Sequence, residues 1–157
     1  MKTKIIEIQD KKIKEEIATE ILYDLPEWFG LPDSTRTYIE ESKNLPFIAC
    51  YFEERLAGFI VLKETGQECS EIFVMGVLKE FHKKGVGKAL NRAYENLARE
   101  MGYIYSQVKT VQSGHYREYD ITNEFYRAMG YSELECFPDM WDEWNPCQIY
   151  VKYLGKR

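Results

Sequence analysis

The sequence predicts a mixed α/β domain in which about four helices flank a central sheet of about seven strands. Two observations support this fold class. Short apolar runs with the strand period of two occur among segments whose apolar residues recur at helical spacing. The chain has 157 residues, 45% of them hydrophobic, which suits one domain with a sizeable core. Residues 1–157 are therefore expected to form a single domain.

The strand signals are short apolar or alternating runs bounded by polar turns. Residues 47–53 and 57–63 flank the polar turn Glu53-Glu54-Arg55, which predicts a hairpin. The complete set of predicted strands is 2–8, 47–53, 57–63, 71–77, 104–111, 131–137 and 147–154.

The first two helices are predicted in the N-terminal part of the chain. Asp10 is a suitable N-cap for the first helix, and Pro26 stops it. The second helix follows Asp33 and ends before Pro46. The apolar face of the first helix comprises Ile13, Ile17, Ile21, Leu22 and Leu25.

Two further helices are predicted in the second half. One spans 86–101 and is closed by Gly102. The other spans 121–129, with Asp120 as its N-cap and Gly130 as its C′ residue. The apolar face of the helix at 86–101 comprises Val86, Ala89, Leu90, Ala93, Leu97, Ala98 and Met101.

A basic turn joins the strand at 71–77 to the helix at 86–101. Gly85 and Gly87 lack the β-carbons that would block a close ligand, and Lys83, Lys84 and Lys88 add positive charge. A helix start leaves about four backbone N–H groups unpaired and carries about half a positive charge. The turn therefore predicts an anion site that favours pyrophosphate. The spacings of the dinucleotide fingerprint and of the P-loop are both absent here.

Two segments resemble the signatures of the GNAT N-acetyltransferases. His82-Lys83-Lys84-Gly85-Val86-Gly87 is similar to the motif Q/R-x-x-G-x-G/A, with His82 in place of Gln or Arg. Phe125-Tyr126, followed by Gly130-Tyr131, is similar to (F/L)-Y-x-x-x-G-(F/Y) and comes in the same order along the chain. The resemblance covers most of the chain. It implies the GNAT fold, in which strands four and five splay into a V that holds the cofactor.

The same resemblance implies acetyl-CoA as co-substrate and no metal. The backbone N–H groups at the end of the fourth strand, which is expected to be bulged at Gly76-Val77, would polarise the acetyl carbonyl. A plain glycine in a strand is the alternative interpretation. The implied cofactor-binding residues are Met75, Gly76, Val77, His82, Lys83, Lys84, Gly85, Val86, Gly87 and Lys88.

Two side chains match catalytic positions of the family. Glu71 is implied as a base that acts through water on the attacking amine, and Tyr126 as the acid that protonates the coenzyme A thiolate. A phenol has an ordinary pKa near 10, so it keeps its proton at neutral pH. A solvated strand-edge carboxylate and a core tyrosine are the respective alternatives. Tyr119 stands where many relatives have an asparagine beside the pantetheine arm.

The acceptor is expected to be an amine, carried by a small molecule or a protein. Trp28 and Phe29 lie between the first two helices, on the acceptor side of the family's fold. Residues 139–144 form a predicted acidic and aromatic loop that includes Trp141 and Trp144, which suits a cationic amine. The alternatives for this loop are solvated surface and contact with a second subunit, so a homodimer is considered as well.

Composition excludes several other classes. A net charge of −5 disfavours a nucleic-acid partner, and no apolar run approaches the ~18 residues of a membrane span. Four scattered cysteines and two histidines make a metal site unexpected. Reduced thiols and the lack of a signal-peptide pattern favour a cytoplasmic protein. The alternative function is a sensor of this fold that binds acyl-CoA without turnover.

Overall fold

The computed structural model describes residues 3–155. The predicted order of elements is confirmed, and a short 3₁₀ turn is added at Lys79–Phe81. The strands are β1 (Thr3–Ile8), β2 (Phe47–Phe52), β3 (Arg55–Gly66), β4 (Cys69–Val77), β5 (Tyr105–Val111), β6 (Ser132–Asp142) and β7 (Asn145–Tyr153). The helices are α1 (Lys11–Tyr23), α2 (Pro32–Ser42), α3 (Val86–Glu100) and α4 (Arg117–Ala128). The first strand was predicted to begin at Lys2, which lies outside the described residues.

The sheet has seven strands in the order β1-β2-β3-β4-β5-β7-β6. Its β4–β5 pair is parallel and begins with Cys69 opposite Tyr105, whereas β5 pairs antiparallel with β7. This mixed sheet with four helices confirms the predicted GNAT-type fold. The chain divides into two compact units: unit 1 runs to Lys63 and includes Ile72–Leu97, while unit 2 comprises Glu64–Glu71 and the residues from Ala98 onward.

Unit 1 has a core in which α1 packs on strands β2, β3 and β4. Phe47 and Phe59 stack with ring centroids 5.1 Å apart. Gly76 allows the close packing of α1, because a β-carbon there would lie 2.8 Å from Cγ2 of Ile21. Burial of this apolar surface contributes about 25 cal/mol per Å². The buried residues of the core are Ile17, Ala18, Ile21, Leu22, Leu25, Ile39, Phe47, Ala49, Phe59, Val61 and Val74.

The first turn of α1 confirms one prediction and departs from another. Asp10 is the N-cap, as predicted, and its Oδ1 accepts hydrogen bonds from the backbone N–H groups of Lys12 and Ile13 at 2.8 and 3.0 Å. Ile13 was predicted on the buried face, but it is 45% exposed. Lys14 is buried instead, because its Nζ donates to the backbone carbonyl of Leu45 at 2.8 Å.

Unit 2 comprises the end of β3, the start of β4 and the end of α3, together with β5, α4, β6 and β7. The prediction that α4 begins at residue 121 after an Asp120 cap was wrong, since the helix begins at Arg117 with Tyr116 as N-cap. The Asp120 carboxylate accepts a 2.7 Å hydrogen bond from the backbone N–H of Gly114 and so fixes the preceding loop. Gly130 follows the C-cap with a φ of 96°, which confirms the predicted C′ glycine.

The C-terminal end of α3 also differs from its predicted position. The helix ends at Glu100, and Gly102 follows it with a φ of 97°, as expected for a closing glycine. Met101 was predicted on the apolar face but is exposed, because it lies just beyond the last helical turn.

Candidate active site

The basic turn of unit 1 begins where β4 ends at Val77. The chain passes through the 3₁₀ turn Lys79–Phe81, and Lys83 and Gly85 then adopt left-handed conformations with φ values of 62° and 82°. Only glycine enters this region without steric cost, which explains Gly85. These two bends aim the chain into α3, whose first residue is Val86.

The surroundings of Gly85 fit a phosphate group. A β-carbon built on Gly85 would meet no heavy atom within 4 Å, so the space beside its backbone is open. Lys83, Lys84 and Lys88 are exposed and form no ion pair with any residue in 3–155. Their charge adds to that of the unpaired N–H groups at the start of α3. An anion therefore finds positive charge, open space and backbone donors together.

His82, which departs from the family motif, ties the turn back to β4. Its Nε2 lies 2.7 Å from the backbone oxygen of Val77. A carbonyl oxygen only accepts, so Nε2 carries the hydrogen. The imidazole also meets the Trp28 ring edge-on at 6.1 Å. The structure gives His82 a role in shaping the turn, and its contact with a cofactor stays a prediction.

Two carboxylates of the α1 region also hold the turn, and sequence reasoning missed both. The backbone N–H of Lys79 donates to Oδ2 of Asp24 at 2.9 Å, and the Lys79 ammonium lies 2.7 Å from Oε2 of Glu27. The hydrogen bond from Lys79 lowers the pKa of the Glu27 carboxyl. These partners lie more than 50 residues apart in sequence, so no local pattern announces them.

Glu71, the predicted base, lies in unit 2 and is 6% exposed. Its Oε1 accepts a hydrogen bond from Nε2 of Gln107 at 2.9 Å and lies 3.2 Å from Nζ of Lys109. Glu71 and Gln107 are opposite each other in the parallel β4–β5 pair, and Lys109 is two residues further along the same face of β5. Glu71 is thus a buried, ion-paired carboxylate, and the solvated strand-edge alternative is wrong. Its role as a base stays a prediction.

Lys109 was missed because no motif contains it. The signal that could have found it is the alternation of Gln107 and Lys109 on a strand predicted to neighbour Glu71.

Tyr126, the predicted acid, is a buried residue of α4. Its ring meets those of Phe125 and Tyr131 edge-on at 5.4 and 6.0 Å, and it is tilted against Tyr150 at 6.1 Å. The hydroxyl of the neighbouring Tyr131 lies 2.8 Å from Oγ of Ser106. Tyr126 is therefore packed among aromatic rings with 7% of its surface exposed, and its catalytic role stays a prediction.

Asn123 was not anticipated from the sequence, although it lies one helical turn before Tyr126. It is fully buried. Its Nδ2 donates to the backbone oxygens of Val111 and Tyr119 at 2.9 and 2.6 Å. Its Oδ1 accepts a 2.5 Å hydrogen bond from the hydroxyl of Tyr150. These bonds fix α4 against β5 and β7.

The predicted acceptor residues of unit 1 lie beside α1 and α2. Trp28 is partly buried and contacts His82, as described above. Phe29 meets Tyr38 edge-on at 5.9 Å, and Tyr38 meets Phe73 at 5.2 Å. Phe29 thus belongs to an aromatic cluster at the margin of the core. Trp28 instead packs against the basic turn through its contact with His82.

The predicted loop at 139–144 is wrong in extent. β6 continues to Asp142, β7 begins at Asn145, and only Glu143 and Trp144 form the turn. The pairing of β6 with β7 is irregular between Phe137 and Asp142. This irregularity accommodates Pro138, which has no backbone N–H to donate to a regular ladder.

The tip of this hairpin is aromatic and partly acidic. Trp141 and Trp144 are 42% and 66% exposed. The Asp142 carboxylate closes the turn, accepting from Nδ2 of Asn145 and the backbone N–H of Trp144, each at 2.9 Å. The hydrogen bond from the Asn145 side chain is the main reason that the pKa of the Asp142 carboxyl is lowered. The exposed carboxylates left for a ligand at this tip are those of Asp139 and Glu143.

Comparison with known proteins identifies a family that this chain matches. The model of the acetyltransferase (GNAT) family matches residues 15–131. A search of curated protein sequences finds no significant match. No helix within residues 3–155 is both long and apolar enough to cross a membrane.

Solved structures with the same fold include three acetyltransferase relatives. An aminoglycoside 6'-acetyltransferase type Ii is 23% identical over 98% of this chain and 99% of its own, with a TM-score of 0.78. An aminoglycoside 6'-N-acetyltransferase from Enterococcus faecium is 20% identical over 98% of each chain, with a TM-score of 0.76. The yncA protein from Salmonella typhimurium, solved with acetyl-CoA, is 12% identical over 100% of this chain and 96% of its own, with a TM-score of 0.75. These likenesses show the fold, and the family match covers most of the chain. This protein therefore belongs to the GNAT family and is an acetyltransferase.

Proposed function

We propose that this protein transfers an acetyl group from acetyl-CoA to a primary amine, directly, within a ternary complex of enzyme and both substrates. The observation that carries the proposal is the open backbone at Gly85, flanked by Lys83, Lys84 and Lys88 at the start of α3. Such an arrangement suits the pyrophosphate of coenzyme A. The relative solved with acetyl-CoA supports the same cofactor.

Each catalytic need of the reaction has a candidate group. Acetyl-CoA supplies an activated thioester whose carbonyl carbon accepts the amine. Glu71 takes a proton from the attacking amine, directly or through water, and Tyr126 donates a proton to the departing thiolate. The packing of Tyr126 among Phe125, Tyr131 and Tyr150 supports a fixed position for its hydroxyl.

The acceptor is a cationic amine in this proposal. The aminoglycoside acetyltransferases among the relatives act on amine-bearing molecules by name, which supports this class. Trp28 and Phe29 in unit 1, and Trp141 and Trp144 at the hairpin tip, offer aromatic faces. Asp139 and Glu143 add exposed negative charge to that tip. The whole chain is proposed to act as one domain, because the family model draws on residues of both units.

A sensor that binds acetyl-CoA without turnover is the second candidate. The ion pair between Lys109 and Glu71 favours it, because a cation of the protein itself already contacts the carboxylate that an acceptor amine would need.

A panel of amines separates the two functions. The protein is incubated with acetyl-CoA and, in turn, with polyamines, aminoglycosides, amino acids and peptides, and free thiol is followed. We expect amine-dependent thiol release and an acetylated amine in the mass spectrum. Saturable acetyl-CoA binding without thiol release for any of these amines would favour the sensor.

A further inference from the structure

An amine of the protein itself already contacts the carboxylate that is proposed to deprotonate the acceptor. Nζ of Lys109 lies 3.2 Å from Oε1 of Glu71. The Glu71 side chain is 8% exposed, whereas that of Lys109 is 34% exposed. A nearly buried carboxylate is therefore in contact with the ammonium of a side chain that is partly exposed to solvent. An acceptor amine that replaced the Lys109 ammonium would meet the same carboxylate oxygen.

The sheet holds this pair in position. Glu71 is opposite Gln107 in the parallel β4–β5 pair, and Lys109 is opposite Ile149 in the antiparallel β5–β7 pair. The backbone of Lys109 is thus fixed by β7, and its side chain is partly exposed. Nε2 of Gln107 donates to the same carboxylate oxygen at 2.9 Å, which gives that oxygen a second partner besides the lysine.

We propose that Lys109 is a site of self-acetylation, used when acetyl-CoA is present and no better acceptor is bound. The inference rests on the proposed function, since it requires acetyl-CoA as donor and Glu71 as base. The modified residue is an Nζ-acetylated lysine, and the donor is the thioester itself.

The reaction balances without any further reactant. Lys109 starts as an ammonium and loses one proton to Glu71, which passes it to solvent. Nζ then attacks the thioester carbonyl carbon, so a C–N bond forms and the C–S bond breaks. The sulfur leaves with its electron pair and takes up a proton that replaces the second one lost by the nitrogen. The products are acetylated Lys109, coenzyme A as thiol and one released proton.

A second lysine of this chain provides a matched control. Nζ of Lys63 lies 3.3 Å from Oε1 of Glu41, and its side chain is 39% exposed. The N–O distance, the glutamate partner and the exposure of the lysine are close to those of Lys109, whereas Glu41 is 46% exposed and Glu71 is 8% exposed, and Glu41 has no proposed catalytic role. Chemical acetylation that follows exposure and ion pairing alone must therefore modify both lysines at similar rates.

The test is a time course in an amine-free phosphate buffer with acetyl-CoA. Peptide mass mapping follows the acetyl group on Lys109 and on Lys63 in the folded protein and in protein unfolded by urea. We expect Lys109 to react about 10²-fold faster than Lys63 in the folded protein, because general base catalysis is typically worth at least that factor. In urea the two rates become equal. Equal rates in the folded protein would overturn the proposal.

Two variants sharpen the result. Glu71→Gln keeps the size of the side chain and removes the base, so acetylation of Lys109 is expected to fall to the rate of Lys63. Lys109→Arg keeps a cation against Glu71 without an acceptor amine, so the fast-reacting site disappears. Fast acetylation of Lys109 in Glu71→Gln would contradict the mechanism. The comparison of the two lysines in the unaltered protein stands even if the Glu71 variant does not fold.

The amine panel distinguishes the failure of this inference from that of the proposed function. Acetylation of an added amine with no preference for Lys109 overturns self-acetylation alone. If neither an added amine nor Lys109 is acetylated, both the inference and the proposed function fail.

Discussion

The hydroxyl of Tyr150 donates a 2.5 Å hydrogen bond to Oδ1 of Asn123, and both side chains are completely buried. The amide of Asn123 also donates to the backbone oxygens of Val111 and Tyr119. One side chain thereby joins α4 to β5 and β7. Tyr126 follows on the next turn of α4, and its ring packs on that of Tyr150. The position of the proposed acid therefore depends on this amide.

Replacing Asn123 by alanine is expected to lower the free energy of unfolding by about 3 kcal/mol, because each buried group left without a partner costs about 1–3 kcal/mol. Urea denaturation measures the change. Thr122→Ala, at the neighbouring and less buried position, serves as control and should change stability by about 0.5 kcal/mol or less. A double-mutant cycle with Tyr150→Phe should show coupling of at least about 0.5 kcal/mol. Equal losses in the Asn123 and Thr122 variants would refute the role given to Asn123.

Replacing Gly85 by alanine is expected to weaken acetyl-CoA binding at least tenfold, about 1.4 kcal/mol, because the added β-carbon occupies the open side of the turn. The left-handed conformation adds a stability cost of about 1 kcal/mol. Isothermal calorimetry and thermal unfolding measure the two effects. Gly102→Ala is the matched control, since Gly102 has a φ of 97° and equally open surroundings beyond the other end of α3. Gly102→Ala should lose similar stability and keep full affinity for acetyl-CoA. Equal affinities in the two variants would refute the anion site at Gly85.

Replacing Tyr126 by phenylalanine is expected to lower kcat about 10²-fold while the Kd for acetyl-CoA stays unchanged, since the hydroxyl is needed when the thiolate departs. Steady-state kinetics and calorimetry separate the two parameters. Tyr131→Phe is the control, because the hydroxyl of Tyr131 lies 2.8 Å from Oγ of Ser106 within the core. It should affect stability more than kcat. Full activity in Tyr126→Phe would make Tyr126 a packing residue.

The four cysteines are expected to differ in reactivity. Burial raises the pKa of Cys50 and of Cys147 to about 11, whereas Cys69 and Cys136 are half-buried. A raised pKa leaves less thiolate at neutral pH, so alkylation at pH 8 should label Cys69 and Cys136 first. Mass mapping of the native protein tests this order. Equal labelling of all four thiols before unfolding would contradict the burial of Cys50 and Cys147.

These two thiols also set a direction for stability against pH. A folded-state pKa above the ordinary value of 9.0 means that unfolding favours loss of the proton. Their contribution to stability is therefore complete below about pH 9 and is lost as pH rises through about 11. The urea concentration at the midpoint of unfolding should be lower at pH 10.5 than at pH 8. Cys50→Ala should make this difference smaller.

The parts of the fold that sequence predicts well are those that local chemistry decides. The Asp10 cap, the Gly130 closure and the Gly85 turn each follow from residues within a few positions of one another. Alternation and helical periodicity predict the order of strands and helices for the same reason.

Other features depend on which strands become neighbours. The Lys109–Glu71 pair exists because β5 lies parallel to β4 in one particular register, which neither segment specifies alone. The Asn123 network likewise needs β5 and β7 in place. Pro138 suggests a strand end in the sequence, yet β6 continues because it is the outermost strand and leaves regular register there.

The central claim, direct acetyl transfer to an amine, is tested most directly by two-substrate kinetics. Initial rates of thiol release are measured over a grid of acetyl-CoA and amine concentrations, with the best amine of the panel. A ternary complex predicts reciprocal plots that intersect, together with stoichiometric acetylated amine. Parallel plots, or saturable acetyl-CoA binding with no amine-dependent release, would contradict the account.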